Sequence, residues 1–233
     1  ASKKDSMKLG VLFSGGKDSV FACQKAVQKG HEISCLIALI SENQESFMFH
    51  TPNIHMTELQ AKAMELPLIQ QTTKGEKEQE LEDLSIAIAT AKKKYNIEGI
   101  ITGAIESVYQ AARIQKICDE LDLWCFNPLW QADQVEHLNE IVDAGYSVII
   151  SAVLAEPFTK KWLGKVIDHK TIKELEKLAH SHNINPAGEG GEFESCVLDG
   201  PLFKKKVEIT KATPEHHEFA GIYKIEEAQV VDK

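Results

Sequence analysis

The chain alternates strand-length apolar runs with helix-length amphipathic ones. The first run, Lys8 to Phe13, ends in the turn Ser14-Gly15-Gly16 and passes at once into a helix pattern: Val20, Phe21, Cys23, Gln24 and Val27, closed by Gly30. Ile33 to Ile40 is almost wholly apolar, as a strand covered on both faces by helices should be. A polar loop follows, Ser41 to Thr51, carrying Phe47, Met48 and Phe49. Met56, Leu59, Ala63 and Leu66 recur at helical spacing until Pro67 stops the helix. The same reading predicts a third strand over Leu68–Thr73 and a helix over Glu78–Tyr95, with Leu81, Leu84, Ile88 and Ala91 on one face. It predicts a fourth strand from Gly99 to Ala104, a helix from Tyr109 to Leu121 and a fifth strand from Leu123 to Asn127. A helix from Asp133 to Ala144 and a sixth strand over Ser147–Val153 follow.

Strands alternating with helices at this spacing imply right-handed βαβ units and a parallel sheet. The expected fold class is therefore α/β, a doubly wound parallel sheet of Rossmann-like form. Past about Glu156 the rhythm changes. There is a break at Thr159–Gly164, a helix pattern over Thr171–His182, and the acidic glycine-rich stretch Gly188 to Val197. Short strands are expected at Cys196–Leu198, Val207–Thr210 and Gly221–Ala228. The organisation predicted is a nucleotide-binding domain over 7–154 and a smaller α+β domain over 155–233. Open parallel sheets bind ligands at the carboxyl ends of strands, where the strand order reverses. The Ser-Gly-Gly turn lies at such an end, and Ser41–Thr51 and Gly103–Tyr109 also follow strand ends, so all three are expected to share a crevice.

The chemistry of the first turn is that of an anion site. Gly15 and Gly16 allow a tight bend and close approach of the backbone to a ligand. The N–H groups opening the next helix point at that ligand, and the helix dipole favours negative charge there. Ser14 and Ser19 add hydroxyl donors, and Lys17 is a cation within reach of a phosphate. Asp18 would repel a phosphate unless Mg²⁺ bridges the two, so it is the candidate metal ligand. Neither G-x-x-x-x-G-K-[ST] nor a G-x-G-x-x-G after this strand occurs. Ser-Gly-Gly-Lys-Asp-Ser resembles instead the pyrophosphate-binding loop of the N-type ATP pyrophosphatases, whose fold is adenine nucleotide alpha hydrolase-like. By analogy with that fold, Ala38 to Ser41 walls the adenine.

Charge narrows the choice of partners. Lys and Arg number 26 against 35 Asp and Glu, a net charge of −9. That argues against a nucleic-acid binder working by broad electrostatic attraction. Lys92-Lys93-Lys94 and Lys204-Lys205-Lys206 are candidates for a local basic patch, each read first as a solvated face. The five cysteines (Cys23, Cys35, Cys118, Cys125 and Cys196) include no C-x-x-C pair, which is reduced, cytoplasmic usage with no zinc site of familiar spacing. Cys23 and Cys118 fall in helix patterns and read as core. No run approaches the roughly 18 apolar residues of a membrane span. Ala1 to Ser6 are polar, and Met7 reads as a natural start.

Two further stretches make the resemblance specific. One is Gly103-Ala104-Ile105-Glu106-Ser107-Val108-Tyr109-Gln110-Ala111-Ala112-Arg113 with Asn127-Pro128-Leu129-Trp130 after it; the other is Gly188-Glu189-Gly190-Gly191-Glu192-Phe193-Glu194-Ser195 with Asp199-Gly200-Pro201-Leu202-Phe203. With the loop at Ser14 they resemble the diphthine–ammonia ligase family over about Met7 to Phe203, except that Ser195 stands where the family often has threonine. The resemblance implies that the diphthine carboxylate of translation elongation factor 2 is adenylated by ATP, with release of pyrophosphate. Ammonium then gives the amide, diphthamide, and AMP. No glutaminase domain fits the length, so free ammonium is the expected donor.

The site residues this implies are Ser14, Gly15, Gly16, Lys17, Asp18, Ser19, Ala38, Ser41 and Gly103 for ATP and pyrophosphate. Lys17, Asp18 and Arg113 take the catalytic roles, with Asp18 on Mg²⁺. Tyr109, Gln110, Trp130, Glu189, Glu192, Glu194 and Ser195 face the substrate, the glutamates meeting its trimethylammonium with an aromatic such as Trp130 or Tyr109 over it. Tyr109 and Arg113, four apart on one helix face, read equally as a core residue and as an ion-pair partner of Glu106 or Asp119. The acidic stretch reads alternatively as a flexible turn. Two other functions stay open, an ATP pyrophosphatase that adenylates a tRNA base and a non-catalytic ATP- or AMP-binding module, as does homo-oligomerisation.

Overall fold

The computed structural model describes residues 5–42 and 56–233. Most of the loop expected at Ser41–Thr51, with Phe47, Met48 and Phe49, lies outside them. The elements in order are β1 (Lys8–Leu12), α1 (Lys17–Gln28), β2 (Glu32–Ser41), α2 (Met56–Met64), β3 (Leu68–Thr73), α3 (Lys77–Tyr95), β4 (Gly99–Ile101), α4 (Val108–Glu120) and β5 (Trp124–Phe126). Then come α5 (Gln134–Asp143), β6 (Ser147–Val153), a 3₁₀ turn at Lys160–Trp162, α6 (His169–His182), β7 (Phe193–Asp199), β8 (Lys206–His217) and β9 (Ala220–Val231). None of the helices described is long and apolar enough to cross a membrane.

The chain divides into two compact units. The first contains the five-stranded sheet, in the order β3-β2-β1-β4-β5, with every pairing parallel. The chain steps outward from β1 to β3, then returns to place β4 on the other side of β1. The strand order therefore reverses at β1 and β4, and the Ser-Gly-Gly turn leaves the carboxyl end of β1 at that point. Cys35 and Ile37 from β2, Ala87, Ile88 and Ala91 from α3, Ile100 from β4 and Ile117 and Cys118 from α4 form one buried cluster. Ser107 caps α4, its hydroxyl accepting from the Gln110 N–H at 3.3 Å.

The second unit is built on a four-stranded sheet in the order β7-β6-β9-β8. Here the structure corrects the sequence reading. Ser147–Val153 is not a sixth parallel strand, because β6 pairs antiparallel with both β7 and β9. Six of its seven residues are buried, and a strand buried on both faces has the same apolar run in either kind of sheet. The units part after Gln131, and α2 and Gly15–Lys17 group with the second. The strands after residue 193 are longer than expected, with β8 and β9 forming a hairpin of 12-residue strands. Pro214 is tolerated because β8 is the edge strand.

Ile100 is fully buried in the centre of the first unit's cluster. Ile100→Ala is expected to lower the unfolding free energy by about 2–5 kcal/mol, read from urea denaturation. A loss below about 1 kcal/mol would place the stabilising core elsewhere.

Candidate active site

The loop from Ser14 to Ser19 has a conformation that only glycine adopts easily, since Gly15 stands at φ +80°. In the first unit the hydroxyls of Ser14 and Ser19 lie 3.4 Å apart. Gly103, just past β4, packs on the backbone where α1 begins. A Cβ there would meet the Asp18 carbonyl carbon at 2.8 Å and the Ser19 nitrogen at 2.9 Å. Gly103 thus allows two backbone segments to touch at the point where the strand order reverses. Thr102 supports the turn: its hydroxyl accepts from the Ala104 N–H at 3.2 Å and bonds the Asn127 side-chain oxygen.

A cavity of about 530 Å³ opens beside Ser14 in the same unit. Leu12 and Phe13 from the β1 end, Ile37 and Leu39 from β2 and Leu81 and Leu84 from α3 give it an apolar wall. Glu80 and, from the first turns of α4, Tyr109, Gln110 and Arg113 supply polar groups. Side chains of a strand alternate between faces, so Ile37 and Leu39 line this cavity and the intervening Ala38, itself buried, does not. Tyr109 is 54% exposed, which rules out the core reading. The Arg113 guanidinium carbon lies 3.2 Å from the centre of its ring, a cation–π pair. Asp119, one of the two expected ion-pair partners of Arg113, accepts from Gln115 instead at 2.9 Å.

In the second unit the middle of the same loop is held by β7 and its approach. The Ser195 hydroxyl accepts from the Lys17 backbone N–H at 3.1 Å, and the Val197 N–H donates to the Gly15 carbonyl at 3.0 Å. Lys17 is only 4% exposed. Its ammonium donates to the Ala187 carbonyl at 2.7 Å and sits 5.5 Å over the Phe193 ring. The acidic stretch is ordered by one of its own carboxylates. Glu192 accepts from the N–H and the side-chain amide of Asn185, at 3.0 and 2.9 Å, and from the Gly190 N–H at 2.9 Å. Gln134 completes the network, donating to Asn185 and accepting from the Ala187 N–H. Glu194 differs from Glu192: desolvation holds its carboxyl above the ordinary range although the side chain still reaches water.

The sequence-predicted residues therefore sort into distinct jobs. Ser14, Tyr109, Gln110 and Arg113 line one cavity. Gly15, Lys17 and Ser195 belong to one hydrogen-bonded cluster, so Ser195 is a loop anchor and not only a candidate substrate contact. Glu192 is engaged within its own loop, and the acidic stretch is an ordered turn. Trp130 is half-buried and its backbone N–H donates to the Asn127 carbonyl at 3.2 Å. Sequence reasoning missed Gln60 of α2, which is fully buried and donates to the Gly15 carbonyl at 2.9 Å. The signal was present: Met56, Gln60, Ala63 and Met64 make the buried face of α2, with one polar residue in an apolar stripe. No group of three or more His, Cys, Asp or Glu side chains gathers as a metal cage among the described residues.

Residues 7–124 match the family model of the diphthamide synthase N-terminal domain, and residues 133–231 match that of the C-terminal domain. The chain belongs to the diphthamide synthase family. Among curated proteins it is 36% identical to the diphthine–ammonia ligase of Bos taurus, over 91% of this chain and 86% of that protein. It is also 36% identical to the human diphthine–ammonia ligase, over 86% of this chain and 82% of that protein. The two family models meet near the division between the two units. A solved structure described as a predicted subunit of tRNA methyltransferase, from Methanocaldococcus jannaschii, is similar at TM-score 0.44 and 14% identity, over 83% of this chain and 97% of that one.

In this diphthamide synthase family member, Gly103→Ala would drive a methyl group into the first turn of α1. The expected outcome is a folded chain, judged by circular dichroism, whose affinity for ATP falls by about tenfold or more; a displaced turn misaligns several N–H donors at once. Unchanged affinity in calorimetry would show that the turn tolerates the shift.

Proposed function

We propose that this chain is a diphthine–ammonia ligase, amidating the carboxylate of diphthine at the expense of ATP. The observation that carries this reading is the glycine turn at the carboxyl end of β1, opening α1, beside an apolar cavity with Arg113 among its lining residues. An adenosine fits an apolar wall with a few polar groups at its margin. The triphosphate fits backbone N–H groups at a helix start. The membership of the family supplies the acceptor.

A carboxylate at neutral pH is a poor acyl donor, because its leaving group would be oxide. Attack of its oxygen on the α-phosphorus of ATP forms the acyl–adenylate P–O bond and breaks the bond to pyrophosphate. Ammonia then attacks the acyl carbon, the C–N bond forms, AMP departs and the excess protons pass to solvent. Ser14, Gly16 and Ser19 cradle the departing pyrophosphate, and Lys17 balances its charge. Arg113, paired with the Tyr109 ring, carries the N–H donors for bidentate contact with a phosphate or the substrate carboxylate.

Asp18, at the start of α1, is the carboxylate that would hold Mg²⁺, and the ion would supply charge neutralisation for the phosphates. The protein substrate is translation elongation factor 2 carrying diphthine, and the compartment is the cytoplasm. Glu194, whose carboxylate is partly desolvated and is not tied down as Glu192 is, meets the trimethylammonium together with Glu189.

Nucleotide product analysis tests the reading. AMP is expected only when ATP, Mg²⁺, ammonium and diphthine-bearing elongation factor 2 are all present. AMP without that protein would reopen the substrate, and ADP would remove the adenylation chemistry. Glu194→Gln is expected to raise KM for the protein substrate by about tenfold and leave ATP binding intact, since a cation loses its charged partner. Because desolvation raises the carboxyl of Glu194, its ionised form costs stability, and this cost is absent below the ordinary carboxylate range. The same variant should therefore be more stable than the wild type to urea at about pH 7 and equal to it at about pH 4.

A further inference from the structure

Gln60 has no exposed surface, and its side-chain amide faces the phosphate loop. The Nε2 group donates to the Gly15 carbonyl at 2.9 Å and to the Val197 carbonyl at 2.8 Å, with the Cys196 sulfur at 3.6 Å. The same Gly15 oxygen accepts from the Val197 N–H at 3.0 Å. Gly15 is thus gripped from α2 and from β7 through one atom. The other end of the amide, Oε1, is buried with no hydrogen-bond partner. A glutamine that leaves an acceptor orphaned in an apolar stripe is a poor choice for packing alone, because a desolvated, unpaired polar atom opposes folding. A methionine would fill the same space without that cost. What only the amide supplies is two N–H donors aimed at two carbonyls.

The peptide joining Gly15 to Gly16 is planar and trans, so its C=O and N–H point in opposite directions. Holding the Gly15 oxygen toward Gln60 and Val197 therefore turns the Gly16 N–H away from those two residues. The unusual conformation of Gly15 is matched to this contact: a Cβ at that residue would lie 2.2 Å from Gln60 Oε1. We propose that Gln60 is a positioning residue of the ligase reaction, fixing the Gly15–Gly16 peptide so that the Gly16 N–H meets a phosphate oxygen of ATP. The proposal rests on the reading of the loop as the pyrophosphate site.

Two variants of the chain test it. Gln60→Met keeps the length of the side chain and loses both donors. Gln60→Glu keeps the shape, but ionised it sets a carboxylate against two carbonyl oxygens, and protonated it recovers one O–H donor. The Cys196 thiol, 3.6 Å from the Gln60 amide, is pushed up to about 12 by burial and stays neutral throughout. Calorimetric binding of pyrophosphate and of ATP is measured with Mg²⁺ at about pH 6 and pH 8, each value taken as a ratio to the wild type, alongside KM values and circular dichroism.

Gln60→Met is expected to weaken both ligands by about tenfold or more at either pH and to leave KM for the diphthine protein within about twofold. Gln60→Glu is expected to match that loss at about pH 8 and to recover by about threefold or more at pH 6. Folded variants that bind both ligands within about twofold of the wild type at both pH values would overturn the proposal. Should Gln60→Met fail to fold, the pH dependence of Gln60→Glu decides alone, and a flat ratio overturns it. A wild-type chain that bound neither ATP nor pyrophosphate would remove the phosphate-site reading itself, and the proposal with it.

Discussion

One carbonyl oxygen, that of Gly15, is the point on which the site's geometry depends. A backbone that must approach phosphates closely is built of glycine, and glycine loses more conformational freedom on folding than any other residue. A loop with that composition does not stay in place on its own propensity. Here it is held by bonds to residues far along the chain. Gln60 is 45 positions away from Gly15, and Ser195, which accepts from the Lys17 N–H, is 178 away from Lys17. Most long-range bonds of this kind stabilise a fold; these also set the direction in which N–H groups point.

Charge is handled by the same economy of placement. A chain of net charge −9 that takes a polyanionic nucleotide has to keep its acids occupied or apart. Glu192 is occupied, answered by three N–H donors from Asn185 and Gly190. That carboxylate orders the segment carrying Ala187, whose carbonyl receives the Lys17 ammonium. An acidic glycine-rich motif that reads as a substrate contact is therefore in part a scaffold for Lys17, with Glu194 left exposed.

The legible parts of the structure were those written locally. The strand, glycine turn and helix at Lys8–Gln28 are fixed by composition and period, and the alternation that follows fixes a parallel sheet whose strand order reverses at β1. The stretch from Gly103 to Arg113 was also readable, because four spacings on one helix put Tyr109 and Arg113 together. What was not legible depends on pairing. An apolar run such as Ser147–Val153 does not state its neighbour's direction, so β6 read as parallel. Ile37 and Leu39 line the cavity and Ala38 between them does not, because in a strand one residue is the opposite face. Gln60 needed knowledge that the buried face of α2 meets a carbonyl, which no single-helix pattern contains.

A cysteine acts as a nucleophile through its thiolate, and thiolates form where a cysteine is exposed or its charge is supported. Burial instead pushes Cys23, Cys35 and Cys196 up to about 12, and Cys118 is raised by the neighbouring Cys125 and by burial. Cys125 alone is held below its ordinary value, through hydrogen bonds from Cys118 and from the Asn127 side chain, on a strand of the first unit. Four of the five cysteines thus behave as small core hydrophobes, and the fifth takes its shift from a packing partner rather than from a base.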